Sequence, residues 1–270
     1  MRRALIPGLM TVALAGPAVA ADRVLVCDVG GPGDPMQAAA LLEKFVRFTE
    51  KQAGLAEGRL EGVYANTTKD CAAAAAKQAP ALVVLDLNTW VRRRAAWELV
   101  PLAHFGPLDL RHYHVIAGAD GPTDAAGLAG RSLQSTLEDD RFVARVVLGG
   151  KVAPEALKMK AARRPLGAVR KVQKGKLDAA LVDDVTLKSA QDLGLVPPLK
   201  VVVASPGLPG LTLGAAKGAD PALVKAVAAK AGTLCQADGA EMCGLLGVDT
   251  VVPPSTATLD ALQGQYDGGK

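Results

Sequence analysis

The sequence predicts two α/β lobes, each a sheet doubly wound by helices, joined by two hinge crossings with a ligand cleft between them. Three observations carry this reading. Short apolar runs alternate with stretches of helical hydrophobic period, a pattern that lays parallel strands beneath helices. The alternation runs through two cycles, separated by a break near residues 105–112. With 270 residues, 50% hydrophobic and 21% charged, the chain lies in the globular range and can build more than one core.

In chain order, MRRALIPGLMTVALAGPAVA comes first, with Arg2 and Arg3, an apolar run from Ala4 to Leu14, and small residues at Ala18 and Ala20. This is the pattern of a secretory signal peptide, residues 1–20, cleaved after Ala20. Pro7, Gly8, Gly16 and Pro17 interrupt a run too short to span a bilayer. The mature protein is therefore expected to be soluble and periplasmic. Lobe one is expected over residues 21–110 and 200–270, and lobe two over 111–199.

The first cycle reads as a strand at 23–29, the turn-rich GGPGDP, and a helix at 36–52 striped by Leu41, Leu42, Phe45, Val46 and Phe48. A strand at 60–64, a helix at 67–77 capped by Asn66 or Thr67, and a strand at 81–87 follow. Trp90 and Trp97 stand seven apart on a helix, a packing arrangement. The second cycle has strands at 113–117, 131–135, 156–160 and 177–182, with helices at 138–148, 166–174 and 185–193. Strands at 199–204 and 211–215 close the pattern, with a helix at 221–231 opened by Asp220 and Pro221, and a last helix at 258–265.

Composition removes several classes of function. The formal net charge is +4, and Arg2 and Arg3 supply two of those charges within the expected signal, which leaves no case for nucleic acid as a partner. Aromatic residues make up 3%, too few for the stacking platforms of sugar or base recognition. Four cysteines behind a signal peptide read as disulfides. Of three possible connectivities, the short polar interval CQADGAEMC favours Cys235 with Cys243, leaving Cys27, at the end of the first strand, with Cys71, at the start of an Ala-rich helix.

The segments VCDVGGPGDPMQAAALLEKFVRF, ALVVLDLNTWVRRR, LAGRSLQST, KGKLDAALVDDVTL and VVVASPGLPGLTLG are spread over nearly the whole mature chain. Their order resembles the type II periplasmic solute-binding proteins, and within them the phosphate/phosphonate-binding branch of ABC transporter receptors. KGKLDAALVDD resembles the element by which the second lobe closes, and VVVASPGLPG the return to the first. The resemblance implies a monomeric substrate-binding receptor of an ABC-type uptake system, served by a permease in the inner membrane. Its solute would be small, polar and oxyanion-bearing, either phosphonate-like or zwitterionic. No enzyme activity and no cofactor are implied. The alternatives are a transporter-independent sensor, a degenerate paralogue, or an enzyme on the same fold.

In such a fold the cleft lies beyond the carboxyl ends of the strands, where helix N-termini present unpaired N–H groups. Tyr64 and Asn66 at the second strand and Asn88 after the third would reach it from lobe one. Ser135 and Thr136 follow a strand and open a helix, so they either bind an oxyanion or cap that helix. The LEDD that comes next departs from the longer Ser, Thr and Gly run of phosphonate binders. Arg164, beside Arg163 at the turn before Pro165, could hold a carboxylate or phosphonate through two hydrogen bonds. Asp183 would receive an ammonium, while Asp184 caps the next helix. His112 and His114 share one face of a strand with His104 near in sequence, but without a third acidic ligand in view no metal is expected.

Overall fold

The computed structural model describes residues 21–30, 35–162, 164–196, 198–237, 239–245 and 247–269. The expected signal, most of the GGPGDP turn, and Arg163 lie outside the described residues. Lobe one begins with β1 (Asp22–Cys27), α1 (Pro35–Ala53), β2 (Leu60–Ala65), α2 (Thr68–Lys77), β3 (Leu82–Leu85), α3 (Leu87–Trp97) and β4 (Val100–Phe105). The chain crosses over and forms β5 (Tyr113–Ala117), β6 (Ser132–Ser135), α4 (Asp140–Phe142), β7 (Lys158–Ala161), α5 (Pro165–Gln173), β8 (Ala179–Asp183), α6 (Asp184–Asp192) and β9 (Lys200–Ala204). It then returns as β10 (Thr212–Ala215), α7 (Pro221–Ala228), α8 (Gly239–Leu245), β11 (Val251–Val252) and α9 (Thr256–Asp267).

The first sheet has the order β11-β4-β10-β3-β1-β2, and the second β7-β6-β8-β5-β9. β1 pairs parallel with β2 and β3, and β6 parallel with β7 and β8, as the alternating pattern requires. β10 and β5 run antiparallel to their neighbours, so both sheets are mixed. The reason is connectivity: a strand entering its lobe from the hinge runs opposite to strands that end there.

Local chemistry sets the element ends. The Thr67 side chain accepts the Asp70 N–H at 3.1 Å and caps α2. The stripe Leu42, Phe45, Val46 and Phe48 buries α1 on the first sheet. Asp178, in the KGKLDAALVDD segment, accepts the backbone N–H and hydroxyl of Ser132, tying the start of β6 to β8. Those two hydrogen bonds hold its carboxyl below the usual range.

Three expectations change. β4 was not foreseen, because Pro101 and His104 mask its apolar run; it is a strand because β10 and β11 flank it. The helix expected at 138–148 starts at Asp140 and continues over Val143–Val147 as π-helical turns, Leu148 donating to the Val143 carbonyl at 2.9 Å. The return to lobe one falls after Ala204 rather than at residue 200, because β9 pairs antiparallel with β5 in the second sheet.

Disulfides join Cys27 to Cys71 and Cys235 to Cys243, with Cα separations of 5.9 and 5.4 Å. One buried apolar cluster holds residues of both lobes: Leu85 and Trp90 of lobe one, Leu133, Phe142 and Leu181 of lobe two, and Leu259 and Leu262 of α9. The C-terminal helix touches both α3 and the π-helical turns, so it straddles the two lobes.

Candidate functional site

The two hinge segments are bonded to each other. Arg111 and Leu208 exchange both backbone hydrogen bonds at 2.9 Å, and the Ser205 N–H donates to the Tyr113 carbonyl at 2.8 Å. Gly207 is needed here, since a Cβ at this position would lie 2.5 Å from that of Asp109. The outgoing crossing, at Leu110, Arg111 and His112, lines a cavity of ≈ 480 Å³ between the two sheets. Asp28, Gly30, Tyr64 and Leu110 line it from lobe one; His112, Tyr113, Thr136, Asp183 and Asp184 line it from lobe two, with Arg111 at the crossing. The lobes meet across the cleft at Gly30, whose φ of 80° suits glycine and whose Cβ position would stand 3.0 Å from Thr136 Cβ.

The electrostatic centre is Arg111. Its Nη1 donates to Asp28 Oδ1 at 3.2 Å, and Asp28 follows β1 on the same face as Val24 and Val26. Burial, the largest single influence, would pull the guanidinium down, but the Asp28 charge and hydrogen bond together with Tyr113 and Asp86 outweigh it and keep Arg111 above its ordinary value. Behind this pair Asp86 is 5% exposed; its Oδ2 accepts the Val29 N–H at 3.1 Å and its Oδ1 the Thr89 N–H at 2.9 Å. Burial, and then the nearby Asp28 charge, push its carboxyl upward. Tyr64 and Tyr113 are both pushed up to about 12, chiefly by burial, so both phenols keep their protons at neutral pH.

On the lobe-two side, Asp183 Oδ1 accepts the Thr186 N–H at 2.9 Å and caps α6. Register explains its place: Tyr113 and Asp183 are direct partners at the cleft end of β5 and β8. Asp184 holds the two histidines, accepting from His114 Nε2 at 2.7 Å and from the His112 N–H at 3.1 Å. Burial pulls the Asp184 carboxyl up, and these bonds more than offset it, leaving it below the usual range. The acidic partner that the sequence did not reveal for His112 and His114 is therefore Asp184. Its hydrogen bonds tie the start of β5 to α6, and among the described residues no group of three such side chains is placed to hold a metal ion.

Of the seven residues expected to bind a solute, Tyr64, Thr136 and Asp183 line the cavity. Ser135 is buried and spends its Oγ on the Leu137 N–H at 2.9 Å, which makes it a turn cap. Asn66 accepts the Gly30 N–H through its carbonyl at 3.1 Å, and its side chain is not part of the lining. Asn88 is 1% exposed in the first turn of α3, facing protein rather than cavity. Arg164 is exposed at the start of α5 and outside the cavity. The reason is strand order: β7, which leads to it, is the far edge of the second sheet, three strands from β5. Asp28 and Arg111 were missed, and the available signal was an arginine in the crossing segment itself.

Away from the cleft mouth, a second set of contacts joins the lobes. Asp139 forms an ion pair with Arg92 of α3 at 3.3 Å and accepts from the Tyr266 hydroxyl at 3.0 Å, and Arg145 donates to the Tyr266 carbonyl at 2.8 Å.

The sequence matches no family model and no curated protein. Solved structures of the same architecture do match. The XAC2383 protein of Xanthomonas citri bound to ATP is 14% identical with a TM-score of 0.67, covering 92% of this chain and 98% of that one. PhnD1 of Prochlorococcus marinus in complex with methylphosphonate is 10% identical with a TM-score of 0.64, covering 91% and 97%. The periplasmic aliphatic sulphonate binding protein SsuA of Escherichia coli is 17% identical with a TM-score of 0.57, covering 93% and 91%. The chain thus has the fold of the type II periplasmic binding proteins.

Proposed function

We propose that this chain is an exported solute-binding receptor. In this reading it acts as a monomer in the periplasm and delivers to an ABC-type permease of the inner membrane one small, oxyanion-bearing solute held between its lobes. The observation that carries the reading is the ≈ 480 Å³ cavity between the strand ends, with the Arg111 guanidinium at its rim. Cavities of about 300–1,000 Å³ enclose whole small molecules. The fold's solved examples with methylphosphonate, an aliphatic sulphonate and ATP in their names support an anionic group on the solute.

The zwitterionic form of the solute is favoured over the phosphonate-like one. Two helix starts among the described residues are occupied by the chain's own carboxylates, Asp86 at α3 and Asp183 at α6. Arg111 and the Thr136 hydroxyl line the cavity for an anionic group, and Asp183 lines it as a receptor for an ammonium. Binding rather than catalysis is favoured because all four cysteines are in disulfides, leaving no thiol nucleophile.

The test is a thermal-shift panel of phosphate, methylphosphonate, short sulphonates and α-amino acids, followed by calorimetry on the hits. A true solute at a hundred times its Kd adds about 2.7 kcal/mol of stability. Arg111→Met should abolish that gain. A panel without a single saturable hit, or a hit that Arg111→Met leaves unchanged, would refute the site.

A further inference from the structure

Charge is unevenly spread along the chain. From Ala156 to Leu177 the sequence holds eight lysines and arginines and no aspartate or glutamate. The whole chain carries +4, so the residues outside this run carry 4 − 8 = −4. The run contains β7 and α5 of lobe two.

Register and helical spacing bring five of these cations together. β7 pairs in parallel with β6, Lys158 opposite Ser132 and Lys160 opposite Gln134. Such partners share a face of the sheet. Lys171 of α5 donates from Nζ to Gln134 Oε1 at 3.0 Å, so Lys158 and Lys160 lie on the face that carries α5. That helix packs chiefly over β8 and leaves the β7 edge uncovered. Arg164, Lys171 and Lys174 recur at intervals of seven and three and form one stripe of α5. A Cβ at Gly167, on the same stripe, would lie 3.6 Å from that of Arg164. Gln134 also donates to the Ala161 carbonyl of β7 at 2.9 Å, so the stripe looks toward the two strand lysines. All five side chains are exposed.

Lysines on an edge strand discourage another strand from pairing there, which accounts for Lys158 and Lys160. It does not account for the helix stripe, where Lys171 and Lys174 are like charges one turn apart and repel. Among the described residues no carboxylate pairs with any of the five. In the same lobe Asp178 is engaged by Arg131 and Ser132, Asp184 by His114, and Asp192 by Lys188. Uncompensated charge gathered in this way attracts polyanions. No aromatic residue lies within the run to stack on a base. From Arg164 to Lys174 the stripe covers about 15 Å of helix, too spread for one phosphate group. An array of long, flexible cationic side chains matches a plane of fluid anionic headgroups.

We propose that the β7 edge and the flank of α5 form a cationic ledge by which the protein adsorbs to a bilayer containing anionic phospholipid. β7 is three strands from β5, and none of the five residues lines the cavity, so adsorption leaves the cleft accessible. The ledge is independent of which solute the cleft takes.

The test is co-sedimentation of the mature protein with vesicles of phosphatidylcholine alone and of an equimolar mixture with phosphatidylglycerol. Binding should be confined to the mixed vesicles and weaken at least tenfold between about 0.05 and about 0.5 M salt, as screening shortens the reach of the charges. Each cation at the surface is worth about fivefold, so Lys158→Gln with Lys160→Gln should weaken binding about 25-fold, and Lys171→Gln with Lys174→Gln by a similar factor. The second pair leaves the sheet edge intact and serves if the first disturbs folding. Lys69→Gln with Lys77→Gln, on exposed positions of α2 in lobe one, should stay within about twofold of the parent. Equal binding to both kinds of vesicle, or equal loss in the α2 variant, overturns the ledge. So does absence from the mixed vesicles, even if the protein is retained on a soluble polyanion such as heparin.

Discussion

Arg111→Met separates the two functions of the hinge arginine. The substitution strands Asp28, 5% exposed, beside the Asp86 carboxylate that already feels it. Breaking a fully buried pair costs about 3–5 kcal/mol, because the remaining charge has no partner. Arg111's side chain is 30% exposed, so solvent screens part of this and about 2–3 kcal/mol is expected. Asp28→Leu should cost less, since a guanidinium at the cavity rim can turn to water. The double variant replaces the pair by apolar groups and should be more stable than the sum of the singles implies, by about 1–2 kcal/mol. Urea unfolding followed by circular dichroism at pH 7.5, with m-values compared, measures all three corners. Additivity of the two single effects within about 0.5 kcal/mol would show that the pair is not coupled and would refute the reasoning.

A buried histidine and the disulfides supply further expectations. Burial holds His104 down at about 4 against an ordinary 6.5. Its Nε2 accepts the Ser255 N–H at 3.2 Å, which leaves the proton on Nδ1 for Thr212, 3.0 Å away. The unfolded chain takes up this proton near 6.5 and the folded protein only near 4, so stability is full above that window and is lost as pH falls through it. By pH 5 the loss should be about 1–2 kcal/mol after a discount for screening, and His104→Leu should lack that part of the slope; equal slopes in both proteins would contradict the assignment. Removing the Cys27–Cys71 bridge, across a separation of 44 residues, should cost about 4 kcal/mol, against about 2.5 for Cys235–Cys243 across 8. Paired serine variants compared by urea midpoint check the ranking, and a reversed order would show that native-state effects outweigh chain entropy.

Most of the fold was legible because alternation and capping are local. The strand at Tyr113–Ala117, the Thr67 cap and both cysteine pairs needed only nearby residues or simple elimination. Strand ends place Tyr64 and Asp183 at the cavity, as their position in the sequence suggests. Tertiary order decides the place of Arg164: its local setting is that of a strand-to-helix turn, yet β7 is an edge strand remote from the hinge. Arg111 was hidden for a related reason, its partner Asp28 lying 83 residues away. Ser135 shows the limit of motif reading, since a hydroxyl after a strand serves its own turn as readily as a ligand.

The position of β10 governs the order in which the chain can be assembled. β4 is joined to the rest of the first sheet only through β10, which lies between it and β3. A chain that folds from its N-terminus onward thus presents β1, β2 and β3 with the β3 edge uncovered, and β4 without its inner neighbour, until residues 212–215 arrive. The second sheet has no such gap, because all its strands lie within 113–204. The inserted lobe can therefore close on itself first, while the lobe containing both chain ends waits for a keystone strand supplied by the return crossing.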